Sequence, residues 1–214
     1  MASLALIFSA GSALAAPRSD AEVAMFRAVQ VDNVTGVKRA LAAGIDPNVR
    51  EPGGETALIV AVRNEANQVA TLLMDQPSID LEAKAPNGNT ALMMAAFRKN
   101  KALVMDMIWR GAQVNQKGWS ALHYAAAAGS TEIASLLLDQ DADINAEAPS
   151  GLTPLMMAAR EGQEAVVELL LKRGADASRK DGGFHLTAAG FARKADKPWI
   201  AKTIEAHLAA QAKR

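Results

Sequence analysis

A five-residue phrase recurs four times along the chain at a nearly constant spacing, and it constrains the fold more than any other feature. Each copy reads glycine, one variable residue, threonine or serine, alanine or proline, and leucine. The leucines are Leu58, Leu92, Leu122 and Leu155, which lie 34, 30 and 33 residues apart, and each is followed three residues later by an alanine. Repetition at this period predicts a stacked solenoid, because each unit can bury its apolar face only against its neighbours.

Each copy has the features of a short helix that is followed by a second one. The threonine or serine suits a helix N-cap, since its hydroxyl accepts a hydrogen bond from a free backbone N–H. Pro154 is tolerated in a first turn, where its missing donor costs nothing. Downstream, residues 133–138 and 166–171 carry apolar side chains at helical spacing, and Gly129 and Gly162 suit a left-handed helix end. The repeat therefore predicts helix–turn–helix units that are joined by polar loops.

Residues 153–155 (Thr-Pro-Leu), 120–126 (Ser-Ala-Leu-His-Tyr-Ala-Ala) and 169–176 (Leu-Leu-Leu-Lys-Arg-Gly-Ala-Asp) resemble the ankyrin repeat. The resemblance covers roughly residues 20–214. It implies an all-α ankyrin-repeat solenoid of stacked helix–turn–helix units with β-hairpin or loop fingers, about six units including a divergent cap at each end. The predicted units span approximately residues 20–52, 53–86, 87–116, 117–148, 149–181 and 182–214.

The chain departs from the ankyrin pattern in two places that matter for function. The histidine that follows the repeat leucine occurs only as His123, whereas isoleucine or methionine stands at the equivalent positions 59, 93 and 156. The hydrogen bond that this histidine makes to its loop in the family is therefore expected to be missing or replaced in most units. The loop over residues 111–120 spans 10 residues where equivalent loops span 13, so we expect a truncated finger before Trp119.

The N-terminus has the pattern of an export signal. Residues 2–17 carry no charge, are rich in alanine, leucine, isoleucine and phenylalanine, and end on the small–x–small sequence at 13–15. This predicts a signal peptide over residues 1–16, cleaved near Ala15 or Ala16, and one mature domain over residues 17–214 without a membrane span. No lysine or arginine precedes the apolar run. The expected location is periplasmic or secreted, or cytoplasmic if the signal does not function; a plain apolar helix is the structural alternative.

Charge balance and residue types exclude several classes of function. The formal net charge is zero, which argues against a nucleic-acid partner because such partners require a basic surface. The chain has no cysteine, and the three histidines, His123, His185 and His207, share no ligand spacing. No glycine-rich phosphate loop is present in the sequence. We therefore expect no catalytic, cofactor-binding or metal-binding site.

The resemblance places partner-binding residues at the loop tips and on the exposed side of the first helices. Trp119 is informative there, because tryptophan, tyrosine and arginine dominate interface hot spots. An alternative is that Trp119 and Trp109 fold over the gap left by the short finger, and the two interpretations are compatible. The predicted protein-binding row consists of Glu55, Arg63, Asn64, Asn89, Phe97, Arg98, Trp119, Leu152, Arg160 and Glu161.

Two classes of function are open on these residues. The favoured one is a monomeric, non-enzymatic, exported ankyrin module that binds another protein through its concave groove and loop tips. Small bacterial proteins with a signal peptide and only ankyrin repeats look similar, and some are tied to periplasmic stress defence. The alternative is a small-ligand-binding or catalytic accessory protein that uses the groove around Trp119. A deep pocket with convergent polar groups would favour the alternative, and a shallow continuous groove would favour protein binding.

Overall fold

The computed structural model describes residues 19–213, and twelve helices in this range are arranged as six pairs. The predicted signal peptide over residues 1–16 lies outside the described residues. The first helices of the pairs are α1 (Asp20–Gln30), α3 (Ala57–Arg63), α5 (Ala91–Phe97), α7 (Ala121–Ala128), α9 (Pro154–Glu161) and α11 (Ala188–Lys194). The second helices are α2 (Val34–Ala42), α4 (Asn67–Met74), α6 (Lys101–Trp109), α8 (Thr131–Asp139), α10 (Glu164–Lys172) and α12 (Pro198–Gln211).

The pairs stack in chain order to form two layers. The first helices pack side by side from α1 to α11, and the second helices pack in the same order from α2 to α12. The predicted all-α repeat solenoid of about six units is confirmed. The fingers are loops rather than extended hairpins, since the described residues contain only an isolated bridge between Arg50 and Thr56.

The first turn is capped as the repeat phrase predicts in the three central units that have threonine, whereas the Ser120 hydroxyl contacts the His123 ring instead. The hydroxyls of Thr56, Thr90 and Thr153 each accept a hydrogen bond from the backbone N–H three residues later, at 3.3–3.4 Å. At the other end of the first helix, Gly129 and Gly162 adopt left-handed φ angles of 75° and 84°. A left-handed residue is favourable there because it lets the backbone turn directly into the second helix.

The apolar core runs continuously through the stack and confirms the predicted register. Leu58, Leu92, Leu122 and Leu155 are each only 1–2% exposed. The alanines three residues later are completely buried, and their small side chains let neighbouring first helices approach closely. The core therefore forms between units as much as within them, as expected for a solenoid.

A ladder of side chains joins each loop to the next, and the sequence did not suggest it in advance. The side-chain oxygens of Asn48, Glu82, Asn115 and Asn145 accept hydrogen bonds from backbone N–H groups of the following unit, at 2.7–2.9 Å. The N–H donors belong to Asp80, Gln113, Asp143 and Asp176. The ladder includes the short loop through Asn115, so this loop keeps the stacking register although it has fewer residues.

The helices are short throughout the described range. Among residues 19–213, no helix has both the length and the apolar composition that crossing a membrane requires.

Replacing Leu122 with alanine is expected to lower the free energy of unfolding by about 2–5 kcal/mol, because the cavity would lie between two adjacent units. Urea unfolding monitored by circular dichroism measures this change. Met105, half exposed on α6, offers a matched truncation, and Met105→Ala should change the stability by less than about 0.5 kcal/mol. A loss below about 1 kcal/mol at Leu122 would contradict the register.

Candidate functional site

A well-formed concave site lies across α5, α7 and α9, where the short loop leads into α7. Its volume is about 580 Å³. We call it the aromatic groove. Its lining is mainly apolar and comprises Phe97, Lys99, Trp119, His123, Tyr124, Ala127, Ala128, Met157, Arg160 and Glu161.

Phe97 and Tyr124 form the aromatic contact between neighbouring units. Their ring centroids lie 6.1 Å apart with perpendicular planes, an arrangement that brings the positive ring edge against the negative face. Phe97 is 49% exposed at the end of α5, so much of its ring is available to a partner. The Tyr124 hydroxyl donates a hydrogen bond to the Asn89 side-chain oxygen at 2.5 Å, which fixes the tyrosine ring, and burial raises the pKa of Tyr124.

Trp119 lies at the short-loop end of the groove and is partly buried. Its ring meets His123 edge-on at a centroid distance of 5.3 Å and lies tilted against Tyr124 at 6.2 Å. Trp119 therefore belongs both to the groove wall and to the cover of His123. One face of the Trp119 ring packs on the protein, as the covering interpretation expects. The residue is only partly buried, and its role in partner binding stays a prediction.

His123 is fully buried beneath Trp119 and serves the structure. Its Nε2–H donates to the Leu152 carbonyl at 2.9 Å, which ties α7 to the loop of the next unit. The backbone N–H of Ser120 donates to Nδ1 at 3.2 Å, so both ring nitrogens have partners in the neutral form. Burial lowers the pKa of His123 and outweighs the opposing effect of the Leu152 hydrogen bond.

Met156 stands at the position equivalent to His123 and replaces one of the two hydrogen bonds that the histidine makes, the one from the N-cap backbone. The Met156 sulfur accepts a weak hydrogen bond from the Thr153 N–H at 3.4 Å. Ile59 and Met93 are simply buried in the core. The expectation that most units lack or replace the histidine bond therefore agrees with the described contacts, and the loop-anchoring histidine occurs beside the aromatic groove.

The short loop is truncated as the residue count predicts. Complete fingers close through a backbone pair such as Glu51 N–H to the Glu55 carbonyl at 2.9 Å, and equivalent pairs join residues 85 with 89 and 148 with 152. Among the described residues of the loop at 111–120, no such pair closes the finger. One interpretation expected Trp109 to fold over the resulting gap, and it is wrong for this residue. Trp109 is 83% exposed at the end of α6, in the other helix layer.

Four residues of the predicted protein-binding row line the aromatic groove: Phe97, Trp119, Arg160 and Glu161. Arg160 pairs with Glu161 at 2.8 Å on its edge. Arg98 lies beside Phe97 but donates to the Arg63 carbonyl of the preceding unit, and its guanidinium lies 3.8 Å from Glu65. Arg98 is thus partly occupied in holding two units together.

Two members of the predicted row are not freely exposed, which corrects the expectation. Asn89 is only 7% exposed because its side chain lies under Tyr124. Leu152 is partly buried, packs against the core, and presents its carbonyl to His123. Both residues support the groove from below rather than line its surface.

The remaining predicted residues form a separate charged cluster two units away. Arg63 lies 3.1 Å from Glu55 and 3.4 Å from Glu51. Burial raises the pKa of Glu55 against the opposing charge of Arg63. Asn64 is exposed at the end of α3 beside this cluster. The residues of the predicted row therefore fall into two groups, which the hydrogen bond from Arg98 to the Arg63 carbonyl connects.

The structure adds six groove residues that are not in the predicted row. They are Lys99, His123, Tyr124, Ala127, Ala128 and Met157. Tyr124 could have been selected from the sequence, because it is an aromatic residue where valine or methionine occupies the equivalent positions 60, 94 and 157. The sequence shows only that Lys99 occupies the helix-end position where Gly129 and Gly162 stand in later units. Lys99 adopts a left-handed φ of 57° there. No group of three or more potential metal ligands converges within the described part of the chain.

Comparisons with known proteins agree with this architecture. A family model described as ankyrin repeats, in three copies, matches residues 25–106 and again residues 93–181. The chain is 28% identical over 159 residues to human transient receptor potential cation channel subfamily A member 1, covering 69% of the chain and 14% of the channel. It is 33% identical over 140 residues to human neurogenic locus notch homolog protein 1, covering 64% and 6%. The chain thus spans a small part of these curated relatives.

Two solved structures are similar over nearly their whole length. An ankyrin repeat domain from Acinetobacter baumannii AYE has a TM-score of 0.72 and 25% identity, covering 87% of this chain and 98% of that one. A chain from the complex of the Bdellovibrio bacteriovorus predatory endopeptidase Bd0816 with immunity protein Bd3460 has a TM-score of 0.73 and 26% identity, covering 85% and 96%.

The buried imidazole makes stability depend on pH in a defined direction. The pKa of His123 is lower in the folded state than its ordinary value of 6.5, so the unfolded chain binds more protons as the pH falls below 6.5. The contribution of neutral His123 is therefore fully present above pH 6.5 and is lost as the pH falls from there toward the folded-state pKa. His123→Met, which copies positions 93 and 156, should flatten this dependence.

Urea unfolding at several pH values between about 7.5 and about 5 measures the effect. His207→Gln, which replaces a partly exposed histidine on α12 far from the groove, is the control and should keep the wild-type dependence. An unchanged slope in His123→Met would show that another group titrates.

Proposed function

This chain belongs to the ankyrin-repeat family, and we propose that it is a non-enzymatic module that binds another protein in the aromatic groove. Ankyrin repeats are protein–protein interaction modules. The observation that carries the proposal is the aromatic set of Phe97, Trp119 and Tyr124, which is accessible on one side and held by hydrogen bonds and ring packing on the other. Rigid, partly exposed aromatic residues provide large contact area at a low entropic cost.

The local chemistry supports binding rather than catalysis. The His123 imidazole uses both nitrogens within the fold, the Tyr124 hydroxyl donates to Asn89, and Glu161 pairs with Arg160. Among the described residues that line the groove, no histidine is therefore free to act as a base next to a nucleophile, which acyl-transfer or proton-transfer chemistry requires.

The cellular setting belongs to the same proposal. The uncharged, apolar residues 2–17 with their small–x–small sequence support export, and the proposed site of action is the periplasm or the extracellular space. The proposed working form is a monomer. A role in stress defence rests on family-level analogy. The matched complex of an endopeptidase with an immunity protein makes a peptidase one class of partner to assay.

A second candidate function is the binding of a small molecule in the same groove. The volume of about 580 Å³ falls within the usual range of ligand pockets, roughly 300–1,000 Å³. Its polar groups stand at the edge, on Lys99, Arg160 and Glu161, whereas ligand pockets usually direct a few polar groups inward. Ligand screening by thermal shift separates the two functions, because a resident small ligand would stabilise the isolated protein without a protein partner.

Phe97→Ala is expected to weaken binding of the natural partner by about 2 kcal/mol, in the range of a hot-spot aromatic. Trp119→Ala should weaken binding by at least as much and should also lower the thermal midpoint, since Trp119 covers His123. The partner is first captured from the native compartment and identified, and titration calorimetry then gives its affinity for each variant alongside the thermal midpoint.

Trp109→Ala and Phe184→Ala are the matched controls, because both rings are well exposed and lie outside the groove. Both controls should retain wild-type affinity. Normal binding by both groove variants, with a loss of stability in Trp119→Ala alone, would identify the aromatic set as structural and would refute the proposed site.

The export proposal makes a separate prediction about the mature N-terminus. If the predicted signal is cleaved, N-terminal sequencing of protein recovered from its native compartment should begin at Ala16 or Pro17. Ala13→Arg and Ala15→Arg should block cleavage, because the processing site accepts small residues at these positions. A soluble cytoplasmic protein that retains Met1 would refute export and leave the groove proposal intact.

A further inference from the structure

The edge of the aromatic groove carries more positive than negative charge. Lys99 and Arg160 line the groove together with a single carboxylate, that of Glu161. Within the described residues, Glu161 pairs with Arg160 through Nε at 2.8 Å, and no carboxylate pairs with Lys99. The Lys197 ammonium adds charge next to this edge, where it donates to the Arg160 carbonyl at 3.0 Å. A backbone carbonyl satisfies a donor without neutralising its charge, so the edge stays cationic.

Much of the remaining lining of the groove is apolar. Ala127 and Ala128 on α7 and Met157 on α9 line it together with Phe97. Alanine side chains are small, and methionine adapts its shape to what it contacts. The groove thus offers an apolar pocket with cationic groups around it.

We propose that the groove receives an acidic segment of the partner protein, which inserts an aliphatic or aromatic side chain beside Phe97 and places flanking carboxylates against Lys99 and Arg160. This rests on the proposed function and specifies the chemistry of the partner. The apolar side chain supplies burial, and the carboxylates supply attraction and orientation, because complementary charge acts mainly on association and specificity.

The same charges disfavour the other occupants that an aromatic site could accept. A cationic side chain or quaternary ammonium would be attracted by the rings but repelled by Lys99, Arg160 and Lys197. Single-stranded nucleic acid uses aromatic stacking together with a long basic track, whereas residues 118–159 include no lysine or arginine and contain five acidic residues. The positive charge is confined to one edge, which suits a short acidic peptide segment.

Selection from a random-peptide display library on the immobilised protein tests this inference. Enriched peptides should carry a leucine, isoleucine, methionine or aromatic residue with aspartate or glutamate close by. Lys99→Glu combined with Arg160→Glu should weaken binding of these synthetic peptides by about tenfold or more, mainly through slower association, and should flatten its salt dependence. Phe97→Ala should instead act mainly on dissociation.

Lys38→Glu combined with Lys172→Glu makes a matched change of two charges on α2 and α10, away from the groove, and should leave binding unchanged. Any of four outcomes would overturn the inference. They are a basic or neutral consensus among the selected peptides, a lack of enrichment, tighter binding of a polyuridylate oligonucleotide than of the selected peptides, and full peptide binding by the charge-reversed groove variant. If Phe97→Ala and Trp119→Ala still abolish binding of the natural partner while charge reversal does not, the proposed function holds and only the acidic chemistry fails.

Discussion

Nearest-neighbour stacking is the constraint on which the rest of the structure depends. A single helix pair of this length cannot bury both of its apolar faces, so each unit is stable only against the next. Leu122 and Ala125 are buried where the first helices α5, α7 and α9 pack side by side, while the asparagine-rich ladder fixes the loops across the same boundaries. Apolar packing provides the driving force, and the ladder fixes the spacing of the loops.

This division explains how one loop can shorten without disturbing the stack. The loop before α7 keeps its ladder bonds through Gln113 and Asn115 and loses the closed tip of the finger. With the tip absent, the local surface is formed by the Trp119 ring and by the neighbouring helix ends. The aromatic groove is thus a local irregularity in an otherwise regular array, and functional sites on repeat proteins commonly arise where units differ.

The loop-anchoring histidine, His123, occurs at the same irregular place in the array. Elsewhere the equivalent position holds isoleucine or methionine, which adds apolar burial and leaves the following loop to be held by the ladder. At the groove, His123 bonds directly to the Leu152 carbonyl, and the Trp119 ring covers it. The cost of burying a polar ring is offset by two hydrogen bonds. In the proposed function, the same contacts would keep the groove wall ordered and so reduce the entropy lost when a partner binds.

The sequence by itself determined the repeat, the helix pairs, the inward-facing leucines, the caps and the shortened loop, because these depend on periodicity and on local backbone chemistry. It also selected Phe97, Trp119 and Arg160. Only the tertiary structure decided that Asn89 lies beneath Tyr124, that Trp109 points away from the gap, and that Arg63 belongs to another cluster. These outcomes depend on contacts such as Arg63 with Glu55 and Tyr124 with Asn89, where side-chain direction and packing, rather than sequence spacing, set which groups meet.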